Sequence, residues 1–213
     1  MTEANAVQPR VLVIPSSYLA GDRTVGGGER YALEYARALS RLTPTTLGLF
    51  DRAPARELDG ELEIRTFGVR RLDPGLGFPL TFESWRALKG FDVIHIMIFP
   101  TPLTDLLLLM GRMRGQTVVL TDVGGGIPSW STYLRKLHPR ADLNRLADGL
   151  ALLSRHASGL FADWPQPRTI LYGGADCRLP SAGIAEEPSG RYALFVGRLL
   201  PHKGILPLIE SIG

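Results

Sequence analysis

Two cations close to one another follow an apolar run near the end of this chain. In GRLLPHKG, Arg198 and Lys203 bracket a turn at Pro201, directly after the apolar residues 192–196. A guanidinium and an ammonium on one loop suit a diphosphate, above all one that leaves and takes negative charge with it. The plainer reading is two solvated surface cations. A second chemical segment is SSYLAGDRTVGGGERY, where Gly26, Gly27 and Gly28 open a helix. Free N–H groups and the helix dipole favour an anion there, and glycine alone lets a phosphate come so near the backbone. The alternative is a flexible loop with a glycine-rich turn. It is not a dinucleotide fingerprint, which directly follows its strand, and no Lys-Ser/Thr pair makes it a P-loop. A third segment is LTDVGGG, with Asp122 at a strand end and Gly124 and Gly125 behind it. The carboxylate could face a cleft and the glycines admit a ligand. A capping Asp in a tight turn is the structural alternative.

These segments need a scaffold that brings strand exits together. RVLVIP (10–15), TTLGLF (45–50), ELEIRTF (61–67), FDVIHIMIF (91–99), QTVVLTD (116–122), GLALLS (149–154) and RTILYGG (168–174) read as strands. Several are apolar without alternation, as a parallel sheet covered on both faces requires. Helical patterns fall between them. In GERYALEYARALSRL, Ala32, Leu33, Ala36, Leu39 and Leu42 recur at helical spacing. TFESWRALKG is a short helix stopped by Gly90. TPLTDLLLLMGRMRG is a helix with Thr101 or Thr104 as cap and Gly115 as stop. Residues 129–148 look helical with an interruption at Pro139, and a short helix runs over 156–164. Strand and helix in alternation predict an α/β fold, a Rossmann-like doubly wound parallel sheet. Its ligands sit outside the carboxyl ends of the strands.

Composition narrows the class. The chain has 213 residues, 45% hydrophobic and 21% charged, enough to bury a core. A formal charge of +3 suits anionic partners but is too mild and scattered for nucleic acid. A single cysteine, Cys177, excludes a disulfide framework and fits a reducing cytoplasm. The first residues lack the pattern of a signal peptide, and no run is long enough to span a membrane. The four histidines lie far apart and show no metal-ligand spacing. The Pro-, Gly-, Ser- and Glu-rich stretch 179–190 reads as a linker between a domain over 1–178 and a segment over 191–213 that cannot form a core alone.

Taken in order, GGGERYALEYARALSRL, FDVIHIMI, TVVLTDVGGG, LALLSRHASGLF, TILYGGADCRLP and FVGRLLPHKGILPLIESI resemble retaining glycosyltransferases of the GT-B fold, group 1 (family four). The last segment is the most specific, and the likeness spans nearly the whole chain. The resemblance implies two Rossmann-like domains around a cleft, the first receiving the acceptor and the second binding a nucleotide sugar. It implies that 1–178 is the acceptor domain and 191–213 the opening strand and helix of an incomplete donor domain. Arg198 and Lys203 would then hold the donor diphosphate, and the loop Gly26–Gly28 would approach it, or the acceptor, from across the cleft. A nucleotide sugar is the co-substrate, the acceptor is a carbohydrate or a lipid-linked one, and neither cofactor nor metal is expected. Two departures stand out. Where many members carry a histidine after the fifth strand, this chain reads Thr121-Asp122-Val123, so either Asp122 takes that polar role or activity is altered. The usual Asn-Gly turn is replaced by Tyr172-Gly173-Gly174-Ala175-Asp176. The acidic pair that grips the donor would lie beyond Gly213, so the chain by itself is expected to be nearly inactive.

Other features are read structurally first. His95 is expected to be a core or strand-end histidine with its hydrogen bonds met, and Cys177 a packed thiol. The segment YLRKLHPRADLNRLADGL reads as a helix pair covering the sheet; its alternative is peripheral contact with an anionic membrane at the cytoplasmic face. The strand over 192–196 could self-associate with a second copy. Two other functions stay open: a non-catalytic module that binds an acceptor beside a separate donor chain, and a nucleotide-sugar epimerase on the same plan.

Overall fold

The computed structural model describes residues 8–15, 27–68, 82–97, 99–123, 130–138, 141–173, 192–196 and 203–212. The chain divides into two units, Met1–Asp176 and Cys177–Gly213. In the first, eight strands form one sheet: β1 (Val11–Ile14), β2 (Thr45–Asp51), β3 (Ala55–Asp59), β4 (Leu62–Gly68), β5 (Val93–Ile96), β6 (Thr117–Asp122), β7 (Gly149–Leu152) and β8 (Arg168–Ile170). Their order is β3-β4-β2-β1-β5-β6-β7-β8. Every pairing is parallel except β3 with β4. The expected α/β fold with a parallel sheet is therefore present.

From β1 the chain builds outward in both directions, to β2 on one side and to β5 through β8 on the other. Crossovers of one hand then place helices on opposite faces. Helix α1 (Gly27–Ser40) covers one face. Its Ala32 and Ala36 pack with Val11, Val13, Leu47 and Met97. Helices α2 (Phe82–Ala87), α3 (Pro102–Met113) and α5 (Arg155–Leu160) belong to the other. There Leu12, Ile14, Ile94, Ile96 and Leu120 meet Leu88, Leu103, Leu107 and Leu108. Strand β1 thus sends Val11 and Val13 one way and Leu12 and Ile14 the other, and all four are buried. Each such side chain contributes about 1.5–3 kcal/mol of burial. That explains a strand with no polar alternation.

Local chemistry fixes the ends. Thr101 caps α3, its hydroxyl accepting from Thr104 N at 3.0 Å, and Gly115 follows the helix with φ +68°. Helix α4 (Trp130–Leu137) stops before Pro139, and a short 3-10 turn follows over Leu143–Leu146. Buried Asp105 in the first turn of α3 accepts from Ser131 N at 2.9 Å and from the Ser131 hydroxyl, tying α4 to α3.

The structure corrects several expectations. The strand in 91–99 is confined to Val93–Ile96. Leu42 lies past the end of α1 and is exposed, so it is not part of the apolar face. The helix near 156–164 ends at Leu160. Strand β3 is an addition: ARELD is exposed and carries no apolar signal, and it joins β4 through a tight turn with Gly60 at φ +61°. In the second unit, 192–196 has no strand pairing among the described residues, and Tyr192, Leu194 and Val196 are exposed. An apolar run becomes a strand only when a neighbour supplies its hydrogen bonds. Helix α6 (Ile205–Ile212) forms as read.

Candidate functional site

The order of strands reverses at β1, whose neighbours are β2 and β5. In such sheets the crevice for a ligand opens at the carboxyl ends of the strands beside that reversal. The exits of β1 and β5 are pinned there by Met97 N donating to Ile14 O at 2.8 Å. Helix α1 packs on β1 through Ala32 and Ala36, and α3 follows β5 in sequence. Strand β6 ends next to β5 with Thr121 and Asp122, and Asp122 lies in register with Leu152 of β7.

The two faces of the sheet carry different chemistry at this edge. On the α1 face, Tyr35, His95 and Thr121 form a chain. The Tyr35 hydroxyl lies 3.0 Å from His95 Nδ1, and Thr121 Oγ1 lies 2.6 Å from Nε2. The rings of Tyr35 and His95 meet edge to face, centroids 5.0 Å apart. Tyr31, one turn earlier on α1, donates to Leu171 O at 3.3 Å and so ties the helix to the exit of β8. Burial pushes His95 down to about 4. Burial, and then the neighbouring Tyr31, push Tyr35 up to about 12. Near neutral pH both are uncharged. A general base needs a pKa close to the working pH, which this buried imidazole does not have. It is the satisfied core histidine the sequence suggested.

On the opposite face, Asp122 follows Leu120 at strand period and is half-buried. It lines a cavity of about 100 Å³ with Phe99, Pro100, Thr132, Asp142, Asn144, Phe161 and Trp164. The aromatic wall is continuous, with Phe161 and Trp164 packed edge to face at 5.0 Å and Phe99 6.2 Å from Trp164. Asp142 Oδ1 accepts from Asn144 N at 3.0 Å and from Asn144 Nδ2 at 2.9 Å.

Of the glycines read as cleft-lining, Gly27 and Gly28 form the first turn of α1, while Gly26, Gly124 and Gly125 lie outside the described residues. A Cβ added to Gly27 would meet nothing within 4 Å. Asp122 and the α1 glycines therefore share an edge of the sheet but belong to different faces. Arg198 and Cys177 lie outside the described residues. Lys203 is exposed, and Gly204 beside it has φ +77°, a backbone reason for glycine at that place. Among the described residues, no group of three His, Cys, Asp or Glu side chains is placed to hold a metal ion, and no helix is long and apolar enough to cross a membrane.

Sequence reasoning missed Tyr31, Tyr35 and Thr121 and the aromatic cavity. Tyr31 and Tyr35 stand one turn apart beside Ala32 and Ala36 on α1, and that spacing was the available signal.

No protein-family model and no curated protein matches the chain. Solved structures do. It is similar to an α,α-trehalose-phosphate synthase (UDP-forming) from Burkholderia vietnamiensis, at 18% identity over 73% of this chain and 42% of that one, with a TM-score of 0.46. An α,α-trehalose 6-phosphate synthase from Burkholderia multivorans matches at 17% identity over 74% and 42%, TM-score 0.46. A trehalose-6-phosphate structure from E. coli with UDP-2-fluoro glucose bound matches at 15% over 72% and 42%, TM-score 0.43. The chain thus spans 42% of the length of each of these three.

Proposed function

We propose that this chain is the acceptor-side domain, with the opening of the donor-side domain, of a retaining glycosyltransferase of the group 1 (family four) kind. The observation that carries the reading is the reversal of strand order at β1, with a glycine-opened helix packed on that strand and a polar residue, Asp122, at the end of the strand two places away. Such an edge is where an α/β sheet receives a ligand. The sequence adds the Gly-Arg and Lys-Gly pairs around 197–204 that the resemblance assigns to the donor diphosphate.

In this reading a nucleotide sugar supplies the transferred group. The bond from its anomeric carbon to the diphosphate oxygen breaks, and the diphosphate leaves with the electron pair. Arg198 and Lys203 balance the charge that develops there. An acceptor hydroxyl oxygen bonds to the same carbon on the face the diphosphate leaves, and its proton passes to the departing diphosphate oxygen. Asp122 contributes a polar group on the acceptor side.

The test is calorimetric titration of UDP, GDP and ADP into the full-length protein, with Arg198→Ala and Lys203→Ala. Charge-assisted hydrogen bonds are worth about 1.5–3 kcal/mol each, so each variant is expected to weaken binding of the preferred diphosphate about tenfold or more. Absence of binding, or binding indifferent to both changes, overturns the proposal.

A further inference from the structure

The face of the sheet that α2 covers carries a basic groove at its β4 side. The register sets Leu12 beside Thr46 and Thr46 beside Glu63, so Glu63, Arg65 and Phe67 share the face of Leu12. Across the antiparallel pair, Arg56 of β3 stands directly opposite Arg65 of β4. Like charges in that position destabilise a sheet, and an anion between them turns the repulsion into two attractions. Arg10, Arg56, Glu63, Arg65 and Phe67 line a groove of about 570 Å³.

The partners of these side chains define what the groove can take. Glu63 is committed at both oxygens: Oε1 meets Arg56 Nε at 2.8 Å, and Oε2 accepts from the Thr46 hydroxyl at 3.1 Å. Arg65 lies over the Phe67 ring, its Cζ 4.9 Å from the centroid, and Arg10 lies over Phe91 at 5.5 Å. A cation–π contact holds a guanidinium without matching its planar fork of donors to an anion. Among the described residues neither Arg10 nor Arg65 has a carboxylate partner. Three arginines and one glutamate give the lining a formal charge of +2. In sequence, 69–81 brings Arg70, Arg71 and Asp73, which does not reverse that sign.

A phosphate monoester carries a charge of about −1.5 to −2 near pH 7 and three strong acceptor oxygens. Guanidinium forks meet such oxygens two at a time. A single carboxylate brings one charge and leaves half of the lining's charge unmet. The volume falls within the roughly 300–1,000 Å³ of small-molecule sites, so an organic body fits beside the phosphate. Strands β2, β1 and β5 separate β4 from β6, which sets this groove apart from the edge where Asp122 ends.

We propose that this groove binds the phosphate monoester of a small molecule, with Arg10, Arg56 and Arg65 around the phosphate. The proposal does not depend on the glycosyl transfer proposed above.

The experiment is calorimetric titration, with phosphorus NMR line broadening, on the full-length protein in about 0.15 M salt, where screening over about 8 Å removes the pull of distant charges. The probes are glycerol 2-phosphate and phenyl phosphate, with dimethyl phosphate as a monoanion and acetate as a carboxylate. Saturable binding of at least one monoester is expected, about tenfold or more tighter than dimethyl phosphate or acetate. Arg10 and Arg65 are exposed, so Arg10→Gln and Arg65→Gln should fold. Each should weaken that monoester about tenfold or more, the worth of a charge-assisted hydrogen bond. The pair Arg198→Ala and Lys203→Ala should leave its affinity unchanged, which separates this site from the donor diphosphate. No saturable monoester binding, equal affinity for dimethyl phosphate or acetate, or indifference to both arginine changes overturns the proposal. So does loss of binding in the Arg198 and Lys203 variants. Asp73→Asn tightening the monoester about tenfold would show the chain's own carboxylate in the groove, and would overturn it as well.

Discussion

The buried imidazole of His95 makes a quantitative claim about stability against pH. In the unfolded chain a histidine titrates near 6.5; in the fold, burial holds this one at about 4. Because the folded value is the lower, the unfolded state takes up the proton first as pH falls. The stabilising contribution is complete above about 6.5 and is lost progressively down to about 4. Linkage with these two values gives a loss of about 2 kcal/mol between pH 7 and pH 5, and about 3 kcal/mol by pH 4. The upper part of that window lies above the range where ordinary carboxylates titrate, so the histidine signal is cleanest there. Urea unfolding at pH 7, 6 and 5 measures it, with His95→Gln as reference. The variant should be less stable at pH 7 by about 1–3 kcal/mol, since Tyr35 and Thr121 lose their partner. Its stability should then fall between pH 7 and pH 5 by about 2 kcal/mol less than the parent's. The exposed His138 and His156 are the same in both proteins and cancel in the difference. Equal slopes for parent and variant would refute the reasoning, as would an NMR titration of the His95 ring with a midpoint near 6.5.

Gly111→Ala should destabilise the protein by about 1–3 kcal/mol in urea melts, because the new Cβ would stand 2.7 Å from Val118 Cγ2 and 3.3 Å from Ile94 Cδ1. Gly27→Ala should leave stability unchanged or raise it by up to about 1 kcal/mol, while weakening diphosphate or acceptor binding in titration; an unaltered affinity would remove that glycine from the site. We further propose that the outward face of α4, where Trp130, Tyr133 and Leu137 are exposed beside Lys136, contacts anionic membranes. Co-sedimentation with vesicles rich in phosphatidylserine should exceed that with neutral vesicles and fall with Lys136→Glu, and equal pelleting with both vesicle types would refute the contact.

The scaffold was legible because its cause is local. VLVI and the LAL of GLAL are apolar on consecutive positions and VIHI departs only at His95, and a strand buried on both faces demands that. Helix stops were legible at Gly90 and Gly115, whose φ values are +90° and +68°. Strand β3 was not, since an exposed antiparallel edge asks little of its side chains; the Asp59-Gly60 pair was its one cue. The segment 192–196 misled in the opposite sense, being apolar enough for a strand but without a strand partner among the described residues. Tyr35 and His95 are 60 positions apart, and His95 and Thr121 are 26. Only the crossover that sets β1, β5 and β6 side by side creates that chain of contacts. The cavity around Asn144 is likewise a product of topology, since its lining comes from β6 and from residues between β5 and β8.

The glycines show how structural and chemical reasons separate. At Gly111 the side chain is forbidden by the sheet beneath it, and at Gly204 the backbone lies at φ +77°. Either fact is a sufficient cause for glycine, and neither says anything of a ligand. Gly27 has neither cause, for its φ is not positive and a Cβ there would meet nothing within 4 Å. A residue that costs helix stability with no packing or dihedral need invites a reason outside the fold, and close approach of an anion to the first turn of α1 is such a reason. Asp122 poses the complementary case. Strand period sends it away from α1, toward Phe99, Asn144 and Trp164.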